Sequence, residues 1–202
     1  MAVVIVVFYA TGTNKIRNDK NVLTLDHAGV KSRAPDLGRI KKYANAIRTY
    51  AAKNQFNDRY CFLIDMSIAS GFKRFFVYDL KIDSIVNAGM VAHGNGTSYL
   101  NDIPVFSNEP GSNCSSIGKY KIGRSYYGTF GLAYKLHGLD RTNSHAFDRF
   151  IVLHAHPCVP SSEIAPHHIC RSWGCPTVAP LFLDQLRKYL DKPGKPILLW
   201  VF

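Results

Sequence analysis

From about residue 60 onward the chain is a succession of short apolar runs, rich in aromatic and β-branched residues and interrupted by glycine, proline and asparagine. That pattern constrains the fold more than any other feature. Such side chains suit a pleated, half-buried surface, and turn residues at this frequency leave little room for long helices. Residues 60–65 (YCFLID), 74–80 (RFFVYDL), 117–122, 126–136, 149–153 (RFIVL) and 197–202 (ILLWVF) read as strands, with Gly123 ending the 117–122 run. Residues 82–92 read as one more, running into the turn chemistry of AHGNGT. Two segments break the pattern. Leu37, Ile40, Tyr43, Ala44, Ile47, Tyr50 and Ala51 recur at spacings of three and four, the mark of an amphipathic helix with Asp36 as N-cap. Residues 179–190 read as a second helix with Pro180 in its first turn. The expected fold is mainly β, a sandwich or barrel with a few packed helices, one of them N-terminal.

The helix beginning at Leu37 also sets the domain reading: residues 1–36 as an extension or signal remnant plus linker, and residues 37–202 as a single globular unit. The apolar run AVVIVVFYA at residues 2–10 is too short to span a bilayer and lacks the positive n-region of an export signal. It fits the end of a signal that starts upstream; its Val and Ile content also suits a buried strand. The formal net charge is +11, but the basic residues are dispersed, in pairs such as Lys41-Lys42 and Arg187-Lys188. A dispersed basic surface without a recognition motif reads as solvated and compatible with polyanionic surroundings, not as a nucleic-acid interface. The odd cysteine count, five, argues against a pure disulfide framework and leaves at least one free thiol.

Chemistry concentrates in residues 149–178, RFIVLHAHPCVPSSEIAPHHICRSWGCPTV. A thiol attacks as thiolate, and its usual pKa of about 8.5 leaves little thiolate at neutral pH. It therefore needs a base within reach, and the developing oxyanion needs N–H donors. Cys175 follows a flexible Gly174 and precedes a stiffening Pro176, so Ser172-Trp173-Gly174-Cys175 is suited to present both nucleophile and amides. His154, at the end of the 149–153 strand, is the candidate base. His156 is the rival, two residues on, although Pro157 ends a strand there. Arg171 suits a substrate carboxylate, or a salt bridge at the base of the loop. His93 either lines the same cleft or serves only its turn. Ser172 has a hydroxyl for the histidine or for the loop. Tyr126 and Tyr127 read as packing.

Arg171-Ser172-Trp173-Gly174-Cys175-Pro176, preceded by His154-Ala155 and a loop, resembles the signature of murein L,D-transpeptidases. The common form has histidine where Trp173 stands; a divergent branch carries Arg-Ser-Trp-Gly-Cys-Pro throughout. Similar segments occur in order at residues 73–80 (KRFFVYDL), 91–94 (VAHG), 106–108 (FSN), 115–118 (SSIG), 126–128 (YYG) and 136–139 (LHGL). The resemblance spans residues 37–202. It departs after the histidine, where Ala155-His156-Pro157-Cys158-Val159 replaces the branch's usual sequence.

This resemblance implies a fold of the L,D-transpeptidase type and a two-step acyl transfer on peptidoglycan stem peptides. Cys175 would act as nucleophile, His154 as base, and Gly174, Trp173 and Ser172 as oxyanion and supporting groups. Arg171, His93 and His156 would face substrate. Terminal D-alanine would leave and a crosslink would form, in the periplasm or cell envelope, with no cofactor. Water as acceptor would give an L,D-carboxypeptidase. A zinc-dependent peptidase is the competing class, since His154, His156, His167, His168, Cys170 and Cys175 lie close in sequence, although no CxxC or HExxH spacing is present. An inactive cell-wall-binding relative is a third reading, set against by the intact Cys–His pair.

Overall fold

The computed structural model describes residues 23–24, 35–96, 103–192 and 194–202. The apolar run at residues 2–10 lies outside them. In chain order the elements are β1 (Leu23–Thr24), α1 (Leu37–Asn54), β2 (Tyr60–Ile64), β3 (Phe75–Asp79), β4 (Ser84–Gly89), β5 (Val91–Ala92), β6 (Val105–Phe106), β7 (Gly118–Gly128), β8 (Gly131–Gly138), a 3₁₀ turn (Arg141–Asn143), β9 (Val152–Ala155), β10 (Thr177–Val178), α2 (Pro180–Leu190) and β11 (Leu198–Val201). The fold is mainly β. Nine strands form one mixed sheet in the order β4-β3-β2-β11-β7-β8-β9-β10-β5. Only β11–β2 and β9–β10 run parallel. Strands β1 and β6 make a separate antiparallel pair, so part of the segment read as linker is hydrogen-bonded into the fold.

Period-two alternation explains why the central strands are apolar on every residue. On β2, Cys61 and Leu63 face one way while Phe62 and Ile64 face the other. Phe76 and Tyr78 of β3 and Leu198 of β11 join the first set. Phe75, Val77, Leu199 and Val201 join the second. Helix α1 covers the first face with Ile40, Ala44, Ile47 and Ala51, all buried. Burying each of the two isoleucines contributes about 1.5–3 kcal/mol. Leu37, on the same predicted stripe, stays exposed in the first turn. The second face closes on Phe182, Leu183 and Leu186 of α2 and on Val91 and Val178 from the far end of the sheet. Residues from both ends of the sheet thus share one core, so the sheet curls over it. A sheet buried on both sides loses the clean apolar–polar alternation, hence continuous runs such as FFVYD and ILLWVF.

Four boundaries differ from the sequence reading. Residues 82–92 form two strands, β4 and β5, broken at Met90. Gly123 does not end a strand: β7 runs on to Gly128, with a bulge between Ile122 and Ser125. A Cβ at Gly123 would lie 2.7 Å from the His137 ring, so this glycine makes room for a cross-strand imidazole. The turn falls inside the 126–136 run, where paired Gly128 and Gly131 close a two-residue hairpin over Thr129 and Phe130. The 149–153 strand begins later, at Val152, because Phe150 sits at φ 57, outside the extended region.

The Asp36 cap has the predicted geometry: its carboxylate accepts the Arg39 amide at 3.1 Å. Replacing it, Asp36→Ala, is expected to cost about 1 kcal/mol and lower the thermal midpoint by about 2–4 °C. An unchanged midpoint in a calorimetric scan would show that the cap contributes nothing to the global fold.

Candidate active site

The parallel pairing of β9 and β10 sets Thr177 beside His154 and Val178 beside Ala155. On its other edge β10 pairs with β5, Thr177 against Ala92. Two-sided pairing fixes which face each side chain takes, because a one-residue slip would reverse them. Just upstream, the cysteine-bearing segment is laid along residues 93–95. Ser172 N–H donates to His93 O at 2.9 Å, and Asn95 N–H donates to Ser172 O at 2.9 Å. Ser115 Oγ joins the two layers, accepting from Gly94 N at 2.9 Å and donating to Gly174 O at 3.0 Å. The VAHG segment is therefore the seat of the Ser-Trp-Gly-Cys loop.

Within that loop Ser172 bonds the loop and not the histidine. Its hydroxyl donates to Cys175 O at 2.6 Å and accepts the Gly174 N–H at 3.2 Å. Gly174 has φ 113, and a Cβ there would stand 2.8 Å from Cys114 O. The tight turn that lifts Cys175 into the cleft therefore requires glycine.

Cys175 and His154 line one cleft of about 460 Å³ together with Phe130, Arg149, Phe150, His156, Arg171, Ser172, Trp173 and Thr177. The Cys175 thiol takes a long contact from Val152 N–H at 3.5 Å and faces Phe150 O at 3.8 Å. Burial pushes the thiol's pKa up, against the opposing pull of the Val152 amide and Arg149. His154 is also buried, and burial moves its pKa down. Its Nδ1 lies 3.0 Å from Ala155 O and its Nε2 3.0 Å from Thr177 Oγ1. Neither nitrogen is hydrogen-bonded to Cys175, and burial favours the neutral form of both groups.

Other predicted residues sort clearly. Arg171, Trp173 and His156 line the cleft, and Trp173 is 75% exposed. The His156 ring Nδ1 accepts from Cys158 N at 3.2 Å. His93 does not line the cleft. It is buried, and its Nδ1 accepts from the equally buried Arg74 at 2.8 Å. Burial first, then the positive charges of Arg74 and Arg171, keep its pKa well below the usual histidine value. Of the possible zinc ligands, His154, His156, Cys170 and Cys175 border the cleft without converging on one point. Cys158 and Cys170 form a disulfide, and His167 and His168 line a different cavity beside Gly71 and Phe72. Among the described residues no three His, Cys, Asp or Glu side chains come together to hold a metal ion.

Three participants were not legible. Phe130, at the hairpin tip, stacks on His154 with ring centroids 4.6 Å apart. Thr177 holds its Nε2. Arg149 donates to Ser107 O, Ser116 Oγ, Ser112 Oγ and Cys114 O, fixing the loop beneath Gly174 while bringing positive charge toward the thiol. Position at the head of RFIVL was the only signal for Arg149; Phe130 and Thr177 depend on strand pairing that one sequence does not display.

The profile of the L,D-transpeptidase catalytic domain family matches residues 34–199. The chain belongs to that family. Among solved structures it is similar to an L,D-transpeptidase from Xylanimonas cellulosilytica (12% identity, 76% of this chain and 68% of that one, TM-score 0.41). It is also similar to the helical cell shape determining protein of Campylobacter jejuni (12%, 71% and 47%, TM-score 0.42). A third is an L,D-transpeptidase from Mycobacterium smegmatis (12%, 71% and 58%, TM-score 0.41). The chain thus spans about half to two thirds of these relatives' lengths. No curated protein sequence matches it significantly. No helix among the described residues is long and apolar enough to cross a membrane.

Two outcomes follow from this geometry. Because the thiol's pKa is raised and only the thiolate is nucleophilic, alkylation of Cys175 by iodoacetamide is expected to keep rising with pH well beyond the free thiol's usual value of about 8.5. A plateau reached below pH 7 would instead reveal a preformed thiolate–imidazolium pair. Gly174→Ala combines a positive φ with a close backbone approach and is expected to lose about 1–3 kcal/mol in chemical denaturation; a stability equal to the parent would refute the requirement for glycine.

Proposed function

We propose that the protein is a cysteine-dependent L,D-transpeptidase acting on peptidoglycan stem peptides. The observation that carries this reading is the placing of Cys175 and His154, from opposite ends of a long loop, in one cleft with two arginines. His154 takes the Cys175 proton as the sulfur attacks the carbonyl that precedes a terminal D-alanine. The carbon–sulfur bond forms, and negative charge collects on the former carbonyl oxygen. The amides of Trp173 and Cys175 are the donors proposed to meet it, since the Gly174 amide is engaged by Ser172. As the tetrahedral centre collapses, His154 returns the proton to the departing amine, leaving a thioester on Cys175. An amine from a second stem peptide attacks the thioester, and its proton returns through His154 to the sulfur. Arg171, on the cleft wall, suits the carboxylate of the leaving residue.

Neutral resting partners suit this order of events. The thiol is not consumed before substrate arrives, and proton transfer accompanies attack. The substrate reading places the protein in the periplasm or cell envelope. The Cys158–Cys170 disulfide supports that placement, because such bonds persist in oxidising compartments.

The test incubates the protein with a disaccharide tetrapeptide and follows products by mass spectrometry, in parallel with Cys175→Ala and His154→Ala. The expectation is D-alanine release and a crosslinked dimer in the parent, at least a thousandfold loss in Cys175→Ala and about a hundred- to ten-thousandfold loss in His154→Ala. A tripeptide product without dimer would make water the acceptor and the protein an L,D-carboxypeptidase. Release that persists in Cys175→Ala would refute the cysteine mechanism.

A further inference from the structure

His154 has two hydrogen-bond partners, and the proposed chemistry uses neither. Thr177 Oγ1 lies 3.0 Å from His154 Nε2 and 3.3 Å from Cys175 O, and Thr177 is 3% exposed. On the far side of the ring, Nδ1 faces Ala155 O at 3.0 Å. A carbonyl only accepts, so Nδ1 carries a hydrogen in either charge state. In the neutral ring Nε2 is then the lone-pair nitrogen, and the Thr177 hydroxyl donates to it. A hydroxyl has one hydrogen, so in that state it does not also donate to Cys175 O, which keeps its bond from Ser172 Oγ at 2.6 Å.

Protonation of the ring reverses the chain. Nε2–H then donates to Thr177 Oγ1, and the hydroxyl hydrogen turns to Cys175 O. Both states are satisfied by rotation about one C–O bond, with no heavy atom displaced. Serine, threonine and water share this property of donating and accepting at one atom, but only a side chain is held in place by strand register. The β9–β10 pairing sets Thr177 opposite His154, and β5 braces Thr177 from its other edge.

We infer that Thr177 is a positioning residue. It holds His154 as the Nδ1–H tautomer with its basic lone pair on Nε2, and it stabilises the imidazolium when a proton arrives, by relaying the bond to the carbonyl of the nucleophile's own residue. The inference assigns a partner to the base and rests on reading His154 as that base. Around the rest of the ring, Phe130 stacks on its face and His156 opposes its protonation by like charge.

The test is nitrogen-15 NMR titration of His154 in the full chain, for the parent, Thr177→Val and Thr177→Ser, with thermal unfolding of each as a folding control. In the parent the ring is expected to show Nδ1 protonated and Nε2 unprotonated at neutral pH. Thr177→Val removes the acceptor of a charge-assisted bond, so the titration midpoint is expected to fall by about one pH unit, a tenfold weaker base. Thr177→Ser keeps the hydroxyl and is expected to restore the midpoint to the parent's.

A parent ring in the Nε2–H tautomer would overturn the inference. So would a Thr177→Val midpoint equal to the parent's, or a Thr177→Ser midpoint as low as that of Thr177→Val. If Thr177→Val does not fold, the parent tautomer and the serine variant still decide it. The ring titration requires no substrate, so it stands apart from whether stem peptides are what the cleft processes.

Discussion

Everything at the cleft depends on the register between two short parallel strands. Strand β9 has four residues and β10 only two, yet their pairing sets His154 beside Thr177 and leads directly out of the cysteine loop. So short an element does not hold its own place. It is held by β5 on one edge and β9 on the other, and by the core, which buries Val178 and Leu153. The loop upstream is seated by the same means, since Ser172 bonds residues on either side of Gly94 as a strand neighbour would. The Ser-Trp-Gly-Cys loop is thus positioned by sheet geometry extended past the sheet's formal end, a more rigid arrangement than a free loop provides.

Burial then decides how the site rests. Desolvation penalises charge on both Cys175 and His154, and it acts in opposite directions on their proton affinities. The thiol holds its proton more tightly, and the imidazole accepts one less readily. Arg149 works against the first effect, but it is engaged with four partners around the loop and is as much a structural brace as a charge. A chain with net charge +11 therefore places in this cleft a thiol and an imidazole whose burial favours their neutral forms.

Much of this was legible in the sequence, for identifiable reasons. Helix α1 and its Asp36 cap follow from periodicity and one side chain, both local. The apolar runs of β2, β3 and β11 follow from composition. What failed was local grammar overruled from across the sheet. Gly123 reads as punctuation until His137 is seen opposite it. Phe150 reads as part of a buried strand, whereas it is 83% exposed at a positive φ. At the site, the Arg-Ser-Trp-Gly-Cys-Pro segment and the upstream histidine were visible because they are contiguous motifs. Phe130 and Thr177 were not, because their roles come from strand neighbours. His93 looked like a cleft residue because AHGNGT reads as an exposed turn; it is instead a buried partner of Arg74. A histidine's meaning depends on which side of the backbone the core lies.

The bond between Cys158 and Cys170 has one further consequence. Cys158, Cys170 and Cys175 all border the same cleft, and the bond joins the first two. In synthetic terms the disulfide is an internal protecting group: two of the three sulfurs that border the cleft are tied to each other, and Cys175 is the one left as a free thiol.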